Sequence, residues 1–352
     1  MLATLSRQLD DKLSLADDQI ASAVEALIDE KIAATDKADF LGALARKGET
    51  VAELAGFARE LRARSIVPVL DPAIRGGEIL DVCGTGGDHL NTFNISTTVA
   101  LLCAAAGVVV AKHGNRASTS QTGSADVLEA LGIPIDLGPG EAAESLLRHG
   151  FAFFFAPRYH PAFRHLAEAR KLCAQRGSRT IFNLLGPLLN PARPSAQLVG
   201  VPRPGVVEPV ARVLQSLGVR RAMVVCGEVP EAGTIRHLDE FSTLGETWVA
   251  EFLHERAFTS SRLAPGDMPI GPATLADLRG GNRDDNAAII RKIFAGEDRG
   301  PRRDAVLLNA SAALFVAGRA KSMSAGWDLA AATLESGAAS TKLRDLSQKS
   351  AP

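Results

Sequence analysis

Apolar and polar positions follow two different periods along the chain. From 14 to 64 the apolar residues recur at helical spacing, as in Ile20, Val24 and Leu27, and this pattern predicts helices throughout the segment. From residue 71 onward, short apolar runs of strand length alternate with helical patterns. The order predicts an α/β fold class, with a small all-helical domain plus a larger α/β domain whose mostly parallel central sheet is flanked by helices.

The second half of the chain continues this alternation of strands and helices. Strands are predicted at 197–201, 222–226 and 248–253, and helices at 206–217, 284–294, 305–316 and, as the last one, 326–337. The polar stretch 228–237 contains Pro230 and Gly233, which indicate a loop.

A glycine-rich loop follows the first predicted strand of the α/β part. The apolar run ending at Val82 leads into Cys83-Gly84-Thr85-Gly86-Gly87-Asp88, and an alanine-rich helix begins near Asn94. Glycines allow tight turns and close backbone approach, and a helix start presents unpaired N–H groups. Asn94, Ser96 and Thr97 add polar side chains there. Strand, loop and helix start together predict an anion site.

A second polar loop follows the next strand, 108–111. It contains Lys112-His113-Gly114-Asn115-Arg116 and then the hydroxyl-rich Ser118-Thr119-Ser120. In a parallel sheet both loops would lie at the carboxyl edge, where ligands bind. Either loop alone is equally consistent with an ordinary turn, because isolated glycine motifs are weak signals. The two loops together predict a large polyphosphate ligand.

Composition limits the classes of partner. The net charge is -1, so nothing indicates general attraction to nucleic acid or to an acidic membrane, and any anion site must be local. The four cysteines, Cys83, Cys103, Cys173 and Cys226, lack metal-ligand spacing and favour a reducing compartment. The first eleven residues do not form a signal-peptide pattern, and no apolar run is long enough to span a membrane. We therefore expect a cytoplasmic protein.

Four blocks resemble the signature blocks of the anthranilate phosphoribosyltransferase family in sequence, order and spacing. They are Gly84-Thr85-Gly86-Gly87-Asp88, Asn94-Ile95-Ser96-Thr97, Lys112-His113-Gly114-Asn115-Arg116 and Gly123-Ser124-Ala125-Asp126-Val127-Leu128-Glu129. The resemblance extends from about residue 13 to the last predicted helix. It implies an enzyme of tryptophan biosynthesis that transfers the phosphoribosyl group of phosphoribosyl pyrophosphate to the amine of anthranilate.

The resemblance also implies which residues bind each ligand. The phosphoribosyl pyrophosphate site would comprise Gly84, Thr85, Gly86, Gly87, Asp88, Thr92, Asn94, Ser96, Thr97, Lys112, His113, Gly114, Asn115, Thr119 and Ser120. The anthranilate site would comprise Gly84, His113, Asn115, Phe163 and Arg170, with Arg170 on the substrate carboxylate. Magnesium would be held by Ser96, Asp239 and Glu240. No general base is assigned, because an aromatic amine attacks a strongly electrophilic carbon.

The chain departs from the family pattern at two places. Ala174-Gln175-Arg176 makes the interval from Arg170 to Thr180 about three residues longer than expected, which would add nearly one helical turn beside the acceptor site. The segment 228–237 is about ten residues longer than usual, and His237 replaces a glycine just before the carboxylate pair.

The domain boundaries follow from the helical pattern and the resemblance together. A helical domain is expected at 1–70, joined by helices from about 160–190, and the α/β domain is expected to comprise 71–157 and 191–352. In the family the helical domain forms the dimer contact, so the resemblance implies a homodimer. Partners are expected to be the two substrates, with no nucleic acid and no membrane.

Two alternatives remain open at this point. A class II-type nucleoside phosphorylase shares the architecture and a related helix start, and turnover of a nucleoside with free phosphate would distinguish it. A non-catalytic, nucleic-acid-binding relative shares the fold, but its members are basic and lack an intact Gly-Thr-Gly-Gly-Asp loop. The intact loop and the balanced charge of this chain argue against that relative.

Overall fold

Helices occupy the start of the chain, and strands alternate with helices after residue 78, as the apolar pattern predicts. The structure, a computed structural model, describes residues 1–117, 121–231, 233–255 and 257–347. The helices are α1 (Leu2–Asp10), α2 (Asp17–Ile28), α3 (Ala34–Lys47), α4 (Val51–Ala63), α5 (Pro72–Arg75), α6 (Ile95–Ala105), α7 (Ser124–Ala130), α8 (Pro139–His149), α9 (Ala156–Tyr159), α10 (Ala167–Gln175), α11 (Phe182–Leu185), α12 (Val207–Ser216), α13 (Arg283–Phe294), α14 (Pro301–Val316), α15 (Met323–Glu335) and α16 (Ala338–Ser347). The strands are β1 (Ile79–Gly84), β2 (Val109–Gly114), β3 (Phe151–Phe155), β4 (Ala196–Gly200), β5 (Arg221–Glu231), β6 (Thr234–Leu238), β7 (Thr247–Leu253) and β8 (Ala257–Leu263).

Local sequence explains how the helical bundle α1–α4 is divided. Thr50 accepts a hydrogen bond from the backbone of Glu53, whose carboxylate accepts one from Thr50 N–H, so this capping box starts α4. Lys47 pairs with the same buried carboxylate at 2.7 Å. The helices α2, α3 and α4 confirm the predicted segment, whereas α1 precedes it and was not predicted.

The sheet has the strand order β3-β2-β1-β4-β5-β7-β8, and β6 pairs with β5. The first five of these strands run parallel, and β6, β7 and β8 add antiparallel pairs. The sheet is therefore mixed but mostly parallel. Because β1, β2 and β4 are adjacent and parallel, the segments after them leave the same edge of the sheet.

Apolar side chains on both faces explain why the central strands are continuously apolar. In β5, Met223 and Val225 pack with α6 and α14 in one core, whereas Val224 and Cys226 belong to a second core. The second core continues into the helical bundle. The bundle therefore packs on the sheet through shared apolar surface.

Two predictions about elements were wrong, and one strand was not predicted. The segment 228–237 is not a loop, because β5 extends to Glu231 and β6 returns beside it as an antiparallel hairpin. The strand β8 was missed, since Ala257–Leu263 lacks a buried face and forms by pairing with β7 at the sheet edge. The helix at 326–337 is not the last one, because Gly337 has a φ of 74° and a further helix, α16, follows it.

The segment between β3 and β4 contacts the helical bundle. Lys37 Nζ donates to the backbone oxygen of His165 at 3.0 Å, and Arg176 pairs with Asp39 at 2.6 Å. These contacts fit the prediction that helices from about 160–190 join the helical domain, and the boundaries themselves remain a prediction. Among the described residues, no helix combines the length and apolar character needed to cross a membrane.

Candidate active site

A cleft of about 410 Å³ opens at the carboxyl edge of the sheet. It is bounded by the loops after β1 and β2, the start of α6, the segment from His160 to Leu189 and the residues after β6. The sequence-predicted residues that line it are Gly84, Thr85, Gly86, Gly87, Asp88, Thr92, Asn94, Ser96, Lys112, His113, Gly114, Asn115, Phe163, Arg170, Asp239 and Glu240. Residues far apart in sequence thus share one cleft.

Three predicted residues are not placed in the cleft. Thr97 is fully buried on the inner side of α6, and its hydroxyl makes no hydrogen bond with the described residues. Successive helical residues point about 100° apart, so Ser96 can face the cleft while Thr97 faces the core. Thr119 and Ser120 lie outside the described residues.

The glycine-rich loop has the shape that its sequence predicts. Gly86 and Gly87 have φ values of 71° and 85°, a region that favours glycine. Gly84 leaves room for a neighbour, since a Cβ there would overlap the carboxylate of Asp239. That carboxylate accepts a hydrogen bond from Gly86 N–H at 2.7 Å. The loop after β1 and the segment after β6 are therefore one interlocked unit.

Three carboxylates, Asp88, Asp239 and Glu240, gather at this end of the cleft, with the buried Lys112 as a nearby cation. Burial, and then the charge of Asp88, raise the pKa of Asp239 to about 7. Burial and the charge of Asp239 also raise the pKa of Glu240, which accepts a hydrogen bond from Ser96 N–H at 3.1 Å. Among the described residues, no three His, Cys, Asp or Glu side chains form a complete metal cage. Oxygen ligands that are too few for a cage fit Mg²⁺ shared with a phosphate.

A buried polar network supports the floor of the cleft, and the sequence analysis did not identify it. Asp81 accepts hydrogen bonds from His113 N–H at 3.2 Å and from the Asn190 side chain at 2.8 Å. Lys112 Nζ donates to Val82 O at 2.6 Å. Burial raises the pKa of Asp81 and lowers that of Lys112. The only sequence signal for this network was a charged residue within an apolar strand.

The other end of the cleft is aromatic. His160 stacks on Phe163 with ring centres 5.1 Å apart and meets His113 edge-on at 5.3 Å. Burial lowers the pKa of His113 to about 3 and that of His160 to about 4, so both rings are neutral at pH 7. The sequence analysis missed His160, although it lies only three residues before Phe163.

Arg170 provides the positive charge at this aromatic end. Its Cζ lies 5.6 Å from the ring centre of Phe182, and it forms no ion pair with the described residues. Phe182 was also missed by the sequence analysis. A flat, aromatic surface beside an unpaired guanidinium suits an aromatic carboxylate.

Family models match nearly the whole chain. Residues 4–65 match the model described as "Glycosyl transferase family, helical bundle domain", and residues 76–340 match "Glycosyl transferase family, a/b domain". These two matches agree with the order of the bundle and the sheet described above.

Two relatives that match almost the whole chain are anthranilate phosphoribosyltransferases. The chain is 43% identical over 333 residues to the anthranilate phosphoribosyltransferase of Petrotoga mobilis, a match that covers 95% of this chain and 92% of the relative. It is 44% identical over 339 residues to that of Symbiobacterium thermophilum, covering 96% and 94%.

Solved structures agree with these relatives. The crystal structure of anthranilate phosphoribosyltransferase from Thermus thermophilus matches with a TM-score of 0.85 and 37% identity, covering 97% of this chain and 98% of that chain. The Saccharomyces cerevisiae enzyme in complex with PRPP and Mg has the same fold, with a TM-score of 0.85, 24% identity and coverage of 98% and 96%. This chain belongs to the anthranilate phosphoribosyltransferase family.

Proposed function

We propose that this protein transfers the phosphoribosyl group of phosphoribosyl pyrophosphate to the amine of anthranilate, as a step of tryptophan biosynthesis. The bond from ribose C1 to the pyrophosphate oxygen breaks, a bond from C1 to the amine nitrogen forms, and the amine loses a proton. The observation that carries the proposal is a single cleft with two chemically different ends, in a chain of this family. One end suits a polyphosphate with a metal ion, and the other suits an aromatic acid.

The phosphate end is assigned to the loops after β1 and β2. The backbone N–H groups of Gly87 and Asp88, which donate no hydrogen bond to the described residues, would contact the pyrophosphate, because glycine loops offer unpaired donors. The N–H groups of Thr85, Gly86 and Ser96 already donate to Gly200 O, Asp239 and Glu240. Asn94 is held in position by hydrogen bonds with Thr122 O at 3.1 Å and with Asn286 at 2.9 Å. Lys112 would complete this side as a positive charge. Thr97 supports the core of α6 and is not included.

Ser96, Asp239 and Glu240 would hold Mg²⁺. Asp239 and Glu240 lie together with raised pKa values, and a divalent cation would add positive charge beside them. When bound, Mg²⁺ would neutralise charge on the phosphates of the substrate.

The aromatic end would bind anthranilate. Arg170 would pair with its carboxylate, while Phe163 and His113 would contact the ring and Asn115 and the backbone of Gly84 would lie on the side facing the ribose. Because both buried imidazoles are neutral, they would accept the aromatic ring without competing for its carboxylate.

The reaction depends on how the two substrates are positioned more than on proton transfer by a side chain. Departure of pyrophosphate leaves oxocarbenium character on the ribose, so the main contributions are stabilisation of the leaving group and alignment of the amine. An aromatic amine is uncharged at pH 7 and can attack without a general base. We assign none.

Loss of anthranilate fluorescence in the presence of phosphoribosyl pyrophosphate and Mg²⁺ tests the proposal. Turnover should require all three components, and release of one pyrophosphate per anthranilate should accompany it. A protein that instead cleaves a nucleoside with free phosphate, and leaves anthranilate unchanged, would be a nucleoside phosphorylase.

We also propose that the chain forms a homodimer through the helical bundle. The support is family membership together with exposed apolar side chains of the bundle segment, Met1 and Leu13. Sedimentation equilibrium would give twice the chain mass if the proposal is right, and the monomer mass at micromolar concentration would contradict it.

A further inference from the structure

The hairpin β5–β6 lies beside the segment 85–93, which contains the glycine-rich loop and is called the loop below, and contacts it. Arg236 on β6 donates from Nη2 to the backbone oxygen of His89 at 2.9 Å. Leu90, with 3% of its surface exposed, packs in a small cluster with Val229 of β5 and Leu238 of β6. The hairpin therefore meets the loop through one charged hydrogen bond and one apolar contact.

The two ends of this loop have other supports. At its start, Thr85 N–H donates to Gly200 O at 2.9 Å and Gly86 N–H donates to Asp239. At its end, Gly280 N–H donates to Asn91 O at 3.0 Å, and Phe93 N–H donates to Leu278 O at 2.9 Å. Between them lie residues 87–90. Among the described residues, Arg236 is the side chain from outside the loop that hydrogen-bonds to their backbone.

The middle of the loop needs external support because its backbone is unfavourable. His89 and Asn91 have φ values of 57° and 55°, in the left-handed region that is unfavourable for residues other than glycine. Asp88 offsets part of this cost by accepting a hydrogen bond from Leu90 N–H at 3.1 Å. A charged donor on the carbonyl of His89 adds support from outside the loop.

We propose that the β5–β6 hairpin is a positioning element for the phosphoribosyl pyrophosphate site, with Arg236 as its positioning residue. The inference rests on the proposed function of the cleft and goes beyond it, since none of the described residues of the hairpin, Arg236 included, lines the cleft. By holding the His89 peptide, Arg236 keeps the N–H groups of Gly87 and Asp88 in the arrangement that binds phosphate. If the loop has the binding arrangement for only part of the time, the apparent affinity for the ligand falls in proportion to that part.

Arg236→Ala tests the proposal through a split between the two substrates. We expect KM for phosphoribosyl pyrophosphate to rise about three- to tenfold, the range for loss of one ordinary hydrogen bond, because solvent weakens this exposed charged contact. KM for anthranilate, measured at saturating phosphoribosyl pyrophosphate, should stay within about twofold. Arg236→Lys retains a charged donor and should recover part of the affinity.

Two neighbours on the same hairpin provide matched controls. Ile235 is 57% exposed and does not belong to the apolar cluster around Leu90, so Ile235→Ala should leave both KM values unchanged. Glu231 pairs with Arg236 at 3.3 Å, so Glu231→Gln removes the ion pair but keeps the donor to His89. Equal changes in both KM values for Arg236→Ala, or no change in either, would overturn the proposal.

Hydrogen exchange separates this inference from the proposed function. In Arg236→Ala, peptides covering 85–93 should exchange faster than in the parent protein, while peptides from α13 and α14 should be unchanged. Unchanged exchange at 85–93 would refute the positioning role even if the parent protein turned over no anthranilate. Absence of that turnover in the parent would refute the proposed function alone.

Discussion

At the scale of single residues, Arg170 distinguishes the two ends of the cleft. Its guanidinium lies over Phe182 and forms no ion pair with the described residues, so a ligand carboxylate would be its natural partner. In contrast, Lys112 is 1% exposed and already donates to Val82 O. The two cations therefore have different surroundings: the guanidinium of Arg170 has no anionic partner among the described residues, whereas the ammonium of Lys112 donates to the backbone.

Arg170→Ala should raise KM for anthranilate and leave phosphoribosyl pyrophosphate binding nearly unchanged. Loss of one charge-assisted contact should cost about 2–3 kcal/mol, or roughly 30- to 150-fold in kcat/KM for anthranilate. Steady-state kinetics with each substrate varied in turn would measure both effects. Aniline lacks the carboxylate, so kcat/KM for aniline should be the same in the variant and the parent. A fall in kcat/KM for aniline as large as that for anthranilate would contradict a carboxylate contact.

The carboxylate pair allows a second prediction at this scale. Asp239→Asn with Glu240→Gln should remove most Mg²⁺-dependent turnover while the fold stays intact, because the amide oxygens can still accept from Gly86 N–H and Ser96 N–H. Turnover measured over graded Mg²⁺ concentrations would test this.

Stability provides the control for the same double variant. Burial and neighbouring carboxylates, Asp88 beside Asp239 and Asp239 beside Glu240, raise the pKa of both carboxyl groups, so ionising them without metal opposes folding. The variant should therefore unfold in urea, without Mg²⁺, at a denaturant concentration no lower than the parent. Unchanged activity at limiting Mg²⁺ would exclude these residues from the metal site.

At the scale of elements, close backbone contacts assemble the phosphate end. Gly200 at the end of β4 leaves room for Asp239, because a Cβ there would overlap the backbone of that residue. Gly86 differs, since no atom lies within 4 Å of its added Cβ and its constraint is a φ of 71°. Gly200 is therefore required for close packing, whereas Gly86 is required for its backbone conformation.

Gly86→Val should weaken phosphoribosyl pyrophosphate binding through conformation alone. A β-branched residue is strained at positive φ by about 1–3 kcal/mol, so affinity should fall at least about fivefold. Calorimetric titration with phosphoribosyl pyrophosphate and Mg²⁺ would measure the loss. Gly205→Val is the matched control, because Gly205 also has open space but no positive φ. Equal affinity in the two variants would exclude the loop from the phosphate site.

At the scale of the whole molecule, buried histidines link stability to pH. The folded pKa of His160 is about 4, against an ordinary value near 6.5, so below pH 6.5 the unfolded chain binds the proton more readily. The contribution of this ring is complete above pH 6.5 and is lost as the pH falls toward 4. Asp81, Asp239 and Glu240 have raised pKa values and act in the opposite direction.

His160→Gln should isolate the histidine contribution. The parent should lose stability as the pH falls from 7 to 4, because the unfolded chain binds a proton at this ring that the folded protein does not. The variant has no ring to protonate, so its free energy of unfolding minus that of the parent should increase by about 2–3 kcal/mol over this range. Urea unfolding of both proteins at several pH values, without substrates or metal, would measure the difference. A difference that does not vary with pH would show that His160 titrates normally in the folded protein.

The sequence by itself determined the elements whose signals are local. Apolar periodicity located α2 to α4 and the central strands. The glycines and the cationic loop located two loops that line the cleft, because turns and helix starts depend on neighbouring residues. The side chains at the carboxyl edge were also predictable, since parallel strands bring their carboxyl ends together. Family resemblance then connected these segments with Arg170 and the carboxylate pair.

Only the tertiary structure decided the features that depend on distant partners. The hairpin β5–β6 and the edge strand β8 form by pairing with neighbouring strands, and their polar sequences carry little signal of their own. Burial turned Thr97 into a core residue and made Asp81 the centre of a hydrogen-bond network that reaches Asn190, 109 positions away. Which side chain faces the cleft and what supports it depend on how the chain packs, and no local pattern encodes those contacts.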